Sequence, residues 1–169
     1  MALSNASRFS GIYDQAVPRV QLMGQAMSFA VWAGVTVVGA VLRPNPVGHG
    51  THEQLGMPPC PSVLLFDRPC PGCGLTTSWS ATIHGNLPFA FHAHPLGPLT
   101  YLLFTAFALL AGYGFLSGGR LRTYTNGFNR LSAIIAVVFI GFGLIRFATT
   151  PHFASKLERA LYGYPIARP

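Results

Sequence analysis

The sequence predicts an all-α integral membrane protein with about three transmembrane helices, a short helical hairpin between the first and second, and a C-terminal interfacial helix. Hydrophobic residues make up 50% of the 169-residue chain and charged residues only 9%, whereas an average soluble domain has about 25% charged residues. Three long apolar stretches contain almost no charge. Because so few polar side chains cannot cover a soluble surface, much of this surface should face lipid. We expect a single membrane domain over residues 1–169.

The first span is predicted at residues 20–42. It has 23 residues without a charge, about 34 Å as a helix at 1.5 Å per residue. That length is enough to cross a bilayer and too long for a signal-peptide core. Small residues recur along it at every fourth position: Ala26, Ala30 and Gly34. Such a stripe lets another helix approach closely, unless the small residues recur by chance.

A Cys-rich loop and helical hairpin are predicted over residues 43–94. Four prolines between positions 43 and 59 disfavour a regular helix there. The same segment carries a His-x-x-His-Glu pattern made by His49, His52 and Glu53. This pattern either binds a metal ion or is solvated, as loop histidines usually are. No run of 18 apolar residues follows, so the hairpin should dip into the membrane or lie along it without crossing.

The second and third spans are predicted at residues 95–116 and 131–147. The second has 22 uncharged residues, and Pro98 falls in its first turn, where proline is tolerated. The third is shorter and ends near Arg146, whose side chain can snorkel to the headgroups. The loop between them, 117–130, contains arginines and no acids. This composition favours a cytoplasmic position for the loop and for the N-terminus.

Two features mark the C-terminal part of the chain. Gly141 and Gly143 thin the third span, so another element can pack closely there. After Thr150 and Pro151, residues 152–164 are predicted to form a short helix, lying in the membrane interface or packed on a partner protein. Its apolar positions are Phe153, Leu157 and Leu161.

All three cysteines lie in the stretch between the first and second spans. Cys70 and Cys73 belong to a Cys-Pro-Gly-Cys-Gly sequence that has the form of a metal knuckle. In such a tight turn, backbone N–H groups point at both sulfurs, as in zinc ribbons and rubredoxin. Cys60 adds a third thiol ten residues upstream. A four-coordinate ion would need one more ligand.

The histidines can be sorted by helix length. A straight helix over residues 71–84 would place His84 about 16 Å from the knuckle. A second helical run at 87–94 would return roughly 10 Å toward it. This makes His94, and then His92, the better candidates for the fourth ligand. The predicted metal site is Cys60, Cys70, Cys73 and His94, with zinc as the expected ion if the site holds one.

Other interpretations of the cysteines remain open. The Cys-x-x-Cys pair is also suited to thiol redox chemistry, with a helix dipole that lowers the pKa of Cys73. A disulfide from Cys60 to Cys70 or Cys73 would form in an oxidising compartment. In the simplest interpretation, proline, glycine and small thiols make a tight turn that carries no chemistry and no cofactor.

The composition disfavours several other functions. The chain has only four acidic residues: Asp14, Glu53, Asp67 and Glu158. None lies in a span, so neither a carboxylate pair nor a proton relay through the membrane can be built. The net charge of +7 comes from basic residues scattered beside apolar runs, which argues against nucleic-acid binding. We therefore expect no catalytic activity.

The motifs of the central stretch also resemble those of a known family. They are Cys-Pro at 60–61, Pro-Cys-Pro-Gly-Cys-Gly-Leu-Thr at 69–76, His-Gly-Asn-Leu at 84–87 and His-Pro-Leu at 94–96. Over roughly residues 57–115 the chain is similar to the small bacterial membrane-protein family known as domain of unknown function 2752. The resemblance implies an integral membrane protein with a short helical hairpin between spans, and it brings no established activity. Thr77 replaces the family's usual Arg, which implies that any role of that Arg in anion binding or orientation is lost.

The function expected from the sequence is that of an accessory or scaffold subunit of a larger bacterial membrane complex. Its partners would be other integral membrane subunits and lipid, and the knuckle would be a structural staple. Few ionisable groups, small-residue helix faces and a bundle too small to enclose a transport path support this expectation. The alternative is a membrane metal-binding or thiol-redox protein that uses the knuckle. We expect a multi-pass protein of the bacterial inner membrane, with the N-terminus in the cytoplasm and the cysteines outside.

Overall fold

The computed structural model describes residues 11–14 and 18–153. Six α-helices and a two-stranded ribbon make up this part of the chain. In order they are β1 (Tyr13–Asp14), α1 (Met23–Val41), α2 (Pro61–Phe66), α3 (Leu75–Ile83), α4 (Leu87–Ala93), α5 (Gly97–Ser117), β2 (Arg120–Leu121) and α6 (Asn126–Thr149). Two 3-10 turns, Arg19–Leu22 and Thr51–Leu55, precede α1 and α2.

Three helical segments are long and apolar enough to cross a membrane: Arg19–Val41, Gly97–Ser117 and Asn126–Thr149. The predicted all-α membrane fold is therefore confirmed. The third segment begins five residues before the predicted start of the third span. The hydroxyl of Thr125 accepts a hydrogen bond from the N–H of Phe128 at 3.2 Å, and this cap lets the helix start before the apolar run.

The predicted interfacial helix at 152–164 lies mostly outside the described residues. His152 and Phe153 are described, and neither is helical. His152 has a φ of 57°, and its Nδ1 lies 3.3 Å from Oδ2 of Asp67. The chain therefore leaves the helical conformation after α6 and contacts the segment between α2 and the knuckle.

The chain divides into two compact units. Of the described residues, the first contains 11–14, 18–38 and 100–131, and the second contains 39–99 and 132–153. We call the second one the cysteine unit because it holds all three cysteines.

In the first unit, polar pairs join α1 to α5. Nε1 of Trp32 donates to the hydroxyl of Thr105 at 2.9 Å. The hydroxyls of Thr36 and Tyr101 lie 3.1 Å apart. Hydrogen bonds between apolar helices are well satisfied in lipid, where water cannot compete for the polar groups.

The small-residue stripe of α1 is not the surface that contacts α5. A Cβ on Gly112 of α5 would lie 2.8 Å from the ring of Phe29, so Phe29 and Gly112 form a close contact between the two helices. Ala30 and Gly34 are exposed, and a Cβ on Gly34 would meet no described atom within 4 Å. Within the described chain, this part of the stripe is therefore available for another helix.

The ribbon in the first unit is a feature that the sequence analysis missed. Its strands are antiparallel and pair Tyr13 with Leu121. Beside it, the carboxylate of Asp14 accepts hydrogen bonds from Tyr124 and from Nε of Arg122. These two donors hold the pKa of Asp14 below its usual value. Strands of two residues leave no periodic signal that a sequence could reveal.

In the cysteine unit, two serines of α3 connect the hairpin to its neighbours. The hydroxyl of Ser78 donates to the carbonyl of Ala90 in α4 at 2.8 Å. The hydroxyl of Ser80 lies 2.8 Å from the carbonyl oxygen of Gly39 and 2.7 Å from that of Leu42. Both carbonyls are at the C-terminal end of α1, where intrahelical partners are missing. These contacts fix the hairpin against the end of the first span.

The close approach of α6 to the knuckle depends on Gly143. A Cβ on Gly143 would contact Pro71 of the knuckle, with Cα of Pro71 at 2.5 Å. A Cβ on Gly141 would meet nothing within 4 Å. Of the two glycines predicted to thin this helix, only Gly143 therefore packs against a described residue.

We expect Gly143→Ala to destabilise the cysteine unit by about 1–3 kcal/mol, because the added methyl group overpacks a contact made partly by backbone. The free energy of unfolding in detergent micelles would measure this change. Gly141→Ala, on the same helix with open space around it, is the matched control and should change stability little. Equal effects of the two substitutions would contradict the packing of Pro71 on Gly143.

Candidate metal site

The turn that carries Cys70 and Cys73 is a defined structure. The N–H of Cys73 donates to the carbonyl of Cys70 at 3.0 Å, which closes the turn. Gly74 follows with a φ of 84° and is the N-cap of α3, so the helix starts at Leu75 and not at residue 71 as predicted. A left-handed residue cannot continue a right-handed helix, and glycine adopts this conformation without steric cost.

The third cysteine comes from a separate element. Cys60 is the N-cap of α2, with Pro61 at the first helical position, a place where proline's missing N–H costs no hydrogen bond. Its carbonyl accepts from the N–H of Val63 and of Leu64, both at 3.0 Å. The side chain of Val63 is almost fully buried and forms a small apolar cluster with Cys73. This cluster holds the two cysteine-bearing segments together.

The three sulfur atoms converge. All Sγ atoms of Cys60, Cys70 and Cys73 lie within 4.8 Å of one another, and all three thiols are free. Cys73 is buried, and the other two are partly exposed. The structure therefore brings together the three cysteines of the predicted metal site.

A cavity of about 380 Å³ adjoins the three sulfurs. The three cysteines line it together with His49, His52 and Glu53, which are the residues of the His-x-x-His-Glu pattern. In the sequence, the His-x-x-His-Glu pattern and the knuckle are separate motifs. The structure places both on one cavity, because the loop before α2 folds back over the knuckle.

The three thiols differ in the direction of their pKa shifts. Hydrogen bonds from Cys70 and Cys73 lower the pKa of Cys60. The same hydrogen bonds to Cys60 raise the pKa of Cys70 and of Cys73, and burial adds to the rise at Cys73. The expectation that a helix dipole lowers the pKa of Cys73 is therefore wrong. Cys73 lies before the helix, and its two neighbouring thiols and its burial raise its pKa.

His94 does not belong to this group of sulfurs. It is fully buried, and its Nε2 lies 3.1 Å from the carbonyl oxygen of Pro71. Its ring packs between Phe139 and Phe142 of α6, with centroid distances of 5.7 and 5.6 Å. Burial lowers its pKa, and the charge of Arg146 lowers it further. Within the described chain its Nδ1 has no hydrogen-bond partner.

Two other histidines considered from the sequence also lie outside the sulfur group. Nδ1 of His84 is 2.8 Å from the carbonyl oxygen of Ser80 at the far end of α3. His92 is exposed, and its ring lies 6.3 Å from that of Phe89. The prediction that helix length separates His84 from the knuckle agrees with this position.

Two arginines connect the site to α6, and the sequence analysis did not find this role. Arg146 donates to the carbonyl of Cys73 at 2.8 Å and to that of Ala93 at 3.4 Å. Arg68 donates to the carbonyls of Phe147 and Ala148, at 2.8 and 2.9 Å, which are at the C-terminal end of α6. Arg146 therefore binds the protein backbone, whereas the sequence suggested that it snorkels. The sequence feature that could have indicated this role is the position of Arg146 inside an apolar span.

We expect Arg146→Met to lower the stability of the cysteine unit by about 1.5–3 kcal/mol, because two backbone carbonyls lose a charged donor. Protease sensitivity of the hairpin and the free energy of unfolding would measure this. Arg130→Met removes an exposed arginine from the same helix and is the matched control. If both variants have the same free energy of unfolding, the hydrogen bonds from Arg146 to Cys73 and Ala93 do not contribute to stability.

The fold and the site together define a small membrane protein that has three helices long and apolar enough to cross a bilayer and a three-cysteine cluster in the cysteine unit. Residues 60–108 match the model of the family described as Protein of unknown function (DUF2752), so the predicted resemblance is confirmed over this segment. The matched segment contains Cys60, Cys70, Cys73 and His94 and ends within α5. No curated protein and no solved structure matches the chain.

Thr77 has a structural role at the start of α3. Thr77 is fully buried, and its hydroxyl lies 2.7 Å from that of Thr51. Thr77 lines the cavity, and Thr51 starts the 3-10 turn that follows His49 and Gly50. Thr77 therefore ties α3 to the loop before α2.

Proposed function

We propose that this protein is a membrane-anchored metal-binding protein in which Cys60, Cys70 and Cys73 hold one zinc-class ion. The mutual approach of the three sulfurs to within 4.8 Å carries the proposal. Sulfurs that share one tetrahedral zinc ion at about 2.3 Å each lie roughly 3.8 Å apart. Small rotations of the side chains are enough to reach that spacing. Thiolate donors also match the preference of zinc and of softer ions.

The surroundings of the sulfurs support a structural ion and no catalytic activity. The cysteines come from two segments, and Arg146 and Pro71 connect this part of the chain to α6. An ion would therefore stabilise the hairpin near the C-terminal end of α6. Glu53 is the only acidic residue among those that line the cavity, so a pair of carboxylates for acid–base chemistry is not present there.

The proposal is tested on protein purified in detergent without added metal. We expect about one zinc per chain by elemental analysis. At neutral pH the three thiols should react with a thiol reagent only after a chelator has removed the metal, because metal-bound thiolates are not available to the reagent. Absence of metal with three freely reactive thiols would overturn the proposal. Metal-free protein with a reversible disulfide would support the thiol-redox alternative.

A second function is supported by a different observation. The exposed small-residue stripe at Ala30 and Gly34 fits a protein that is an accessory subunit of a larger membrane complex. Helices associate in lipid through close backbone approach at small residues. The partner would be a transmembrane helix of another integral membrane subunit, with lipid around the remaining faces.

The accessory role is tested by the mass of the native particle in mild detergent. The proposal expects a particle well above that of one 18.1 kDa chain. Gly34→Leu should release the chain from this particle, because a large side chain blocks close approach. Val31→Leu, at an exposed position on the same helix, should leave the particle intact. A lone monomer before any substitution would refute the accessory role.

The location we propose is the inner membrane of a bacterium, with the N-terminus in the cytoplasm and the cysteines outside. The arginines of the loop between α5 and α6, without an acid, support this orientation. Labelling of metal-depleted protein in intact cells tests it. A thiol reagent that cannot cross membranes should reach the cysteines from outside, and protection until lysis would reverse the orientation.

A further inference from the structure

We infer that His49 is the fourth ligand of the ion held by Cys60, Cys70 and Cys73, and that His94 is not. This inference rests on the proposed metal-binding function and assigns the one position that the three sulfurs leave open. Three thiolates and one imidazole are a common zinc ligand set. The site would then be closed by protein on all four sides, as structural zinc sites are.

The backbone places His49 beside the knuckle. A Cβ on Gly74 would lie 2.8 Å from the carbonyl oxygen of Gly48, so the backbones of these two glycines are in close contact. His49 follows Gly48 directly, and Cys73 directly precedes Gly74. The candidate ligand and one of the cysteines are therefore each one residue away from the same contact.

Side-chain packing supports the same assignment. His49 is 4% exposed and lines the cavity that adjoins the sulfurs. Its ring lies 4.7 Å from the ring of Phe153. Phe153 also packs on the apolar cluster that contains Cys73, together with Cys60 and Cys70. One aromatic ring therefore contacts the candidate histidine and also packs on the apolar cluster that contains Cys73.

The other polar side chains of the cavity wall are less suitable. Nε2 of His52 lies 3.3 Å from the carbonyl oxygen of Pro58. The carboxylate of Glu53 folds back on Gly50, where a Cβ would be 2.8 Å from its Oε1. His94 does not line this cavity and is held by Pro71 and two phenylalanines of α6. Of these candidates, His49 alone is both buried and on the cavity.

Ligation requires the loop to move closer to the sulfurs, because His49 is not among the groups within 4.8 Å of all three. The flanking residues permit this movement. Gly48 and Gly50 have φ values of 89° and 79°, and glycine can change between such conformations at little cost. Closure would fill part of the cavity and bring the loop before α2 onto the knuckle.

Cobalt(II) substitution of the purified full-length protein tests the inference, because the absorption of sulfur-to-cobalt charge transfer counts thiolates and the d–d bands report the coordination geometry. We expect His49→Ala to weaken Co²⁺ binding on the order of 100-fold and to change the d–d bands. His49→Cys should restore binding with stronger charge-transfer absorption, since it adds a fourth thiolate. His52→Ala and His94→Ala should leave affinity and bands as in the unchanged protein.

The outcomes separate this inference from the proposed function. If the unchanged protein binds no Co²⁺ or Zn²⁺, the metal-binding function itself fails. If it binds metal and His49→Cys keeps the unchanged spectrum, His49 is not a ligand, even if His49→Ala does not fold. Loss of binding in His94→Ala with normal binding in His49→Ala would assign the fourth position to His94 and overturn the inference.

Discussion

Replacing Cys73 by serine should reduce zinc affinity by on the order of 100-fold or more, beyond the 10–100-fold that changes in outer-shell partners cost. A serine hydroxyl stays protonated at neutral pH and is a poor ligand for zinc. Cys73 is the most buried of the three cysteines and packs on Val63. Its loss therefore removes both a ligand and part of the apolar contact between α2 and the knuckle.

The measurement is a zinc competition titration together with thermal unfolding. Added zinc should raise the unfolding temperature of the unchanged protein by binding only the folded state, and it should not raise that of Cys73→Ser. Thr76→Ala changes an exposed residue on the same cavity and serves as the control, with unchanged zinc binding. Full zinc affinity in Cys73→Ser would show that the three sulfurs do not share an ion.

Replacing Gly74 by alanine should destabilise the cysteine unit by about 2–5 kcal/mol, the largest effect we expect on folding. Two costs combine. Gly74 has a φ of 84°, a conformation that costs a residue with a Cβ roughly 1–2 kcal/mol. The added Cβ would also meet the carbonyl oxygens of Ala93 and Gly48. Both are backbone atoms, so neither can rotate away, and overpacking adds about 1–3 kcal/mol.

Chemical unfolding in detergent, followed by tryptophan fluorescence, would measure the loss, because Trp79 lies on α3 directly after the turn. Gly72→Ala is a control from the same motif. Gly72 does not have a positive φ, and a Cβ there would meet nothing within 4 Å. We expect a change within about 0.5 kcal/mol. Similar stability of the two variants would mean that the loop before α2 does not pack on the knuckle.

The sequence predicted the spans because membrane helices are set by length and composition. The stretch without charge at 20–42 matches the observed Arg19–Val41 closely. The helix that contains the third predicted span starts before that span because its cap, Thr125, lies outside the apolar run. The short ribbon that pairs Tyr13 with Leu121 was not predicted, because strands of two residues pair through contacts between positions far apart in the chain.

The candidate site was predicted in part. The spacing of Cys70 and Cys73 indicated a knuckle, and both cysteines do lie with Cys60 in the structure. His94 was predicted as the fourth ligand from the length of α4 alone. That length does not determine the direction of the histidine ring. Packing on Phe139, in a helix far along the chain, decides that direction.

The sequence by itself determined that this is a membrane protein with three spans and one group of thiols, because hydrophobic length and local cysteine spacing do not depend on distant contacts. Only the tertiary structure decided which other groups share the cavity. The close contact of Gly48 with Gly74 places His49 on the cavity that the cysteines line, and the hydrogen bond from Arg146 to Cys73 joins α6 to the knuckle. Such contacts depend on close backbone approach at glycines and on backbone carbonyls that accept hydrogen bonds from distant donors. Local sequence patterns do not reveal these pairings.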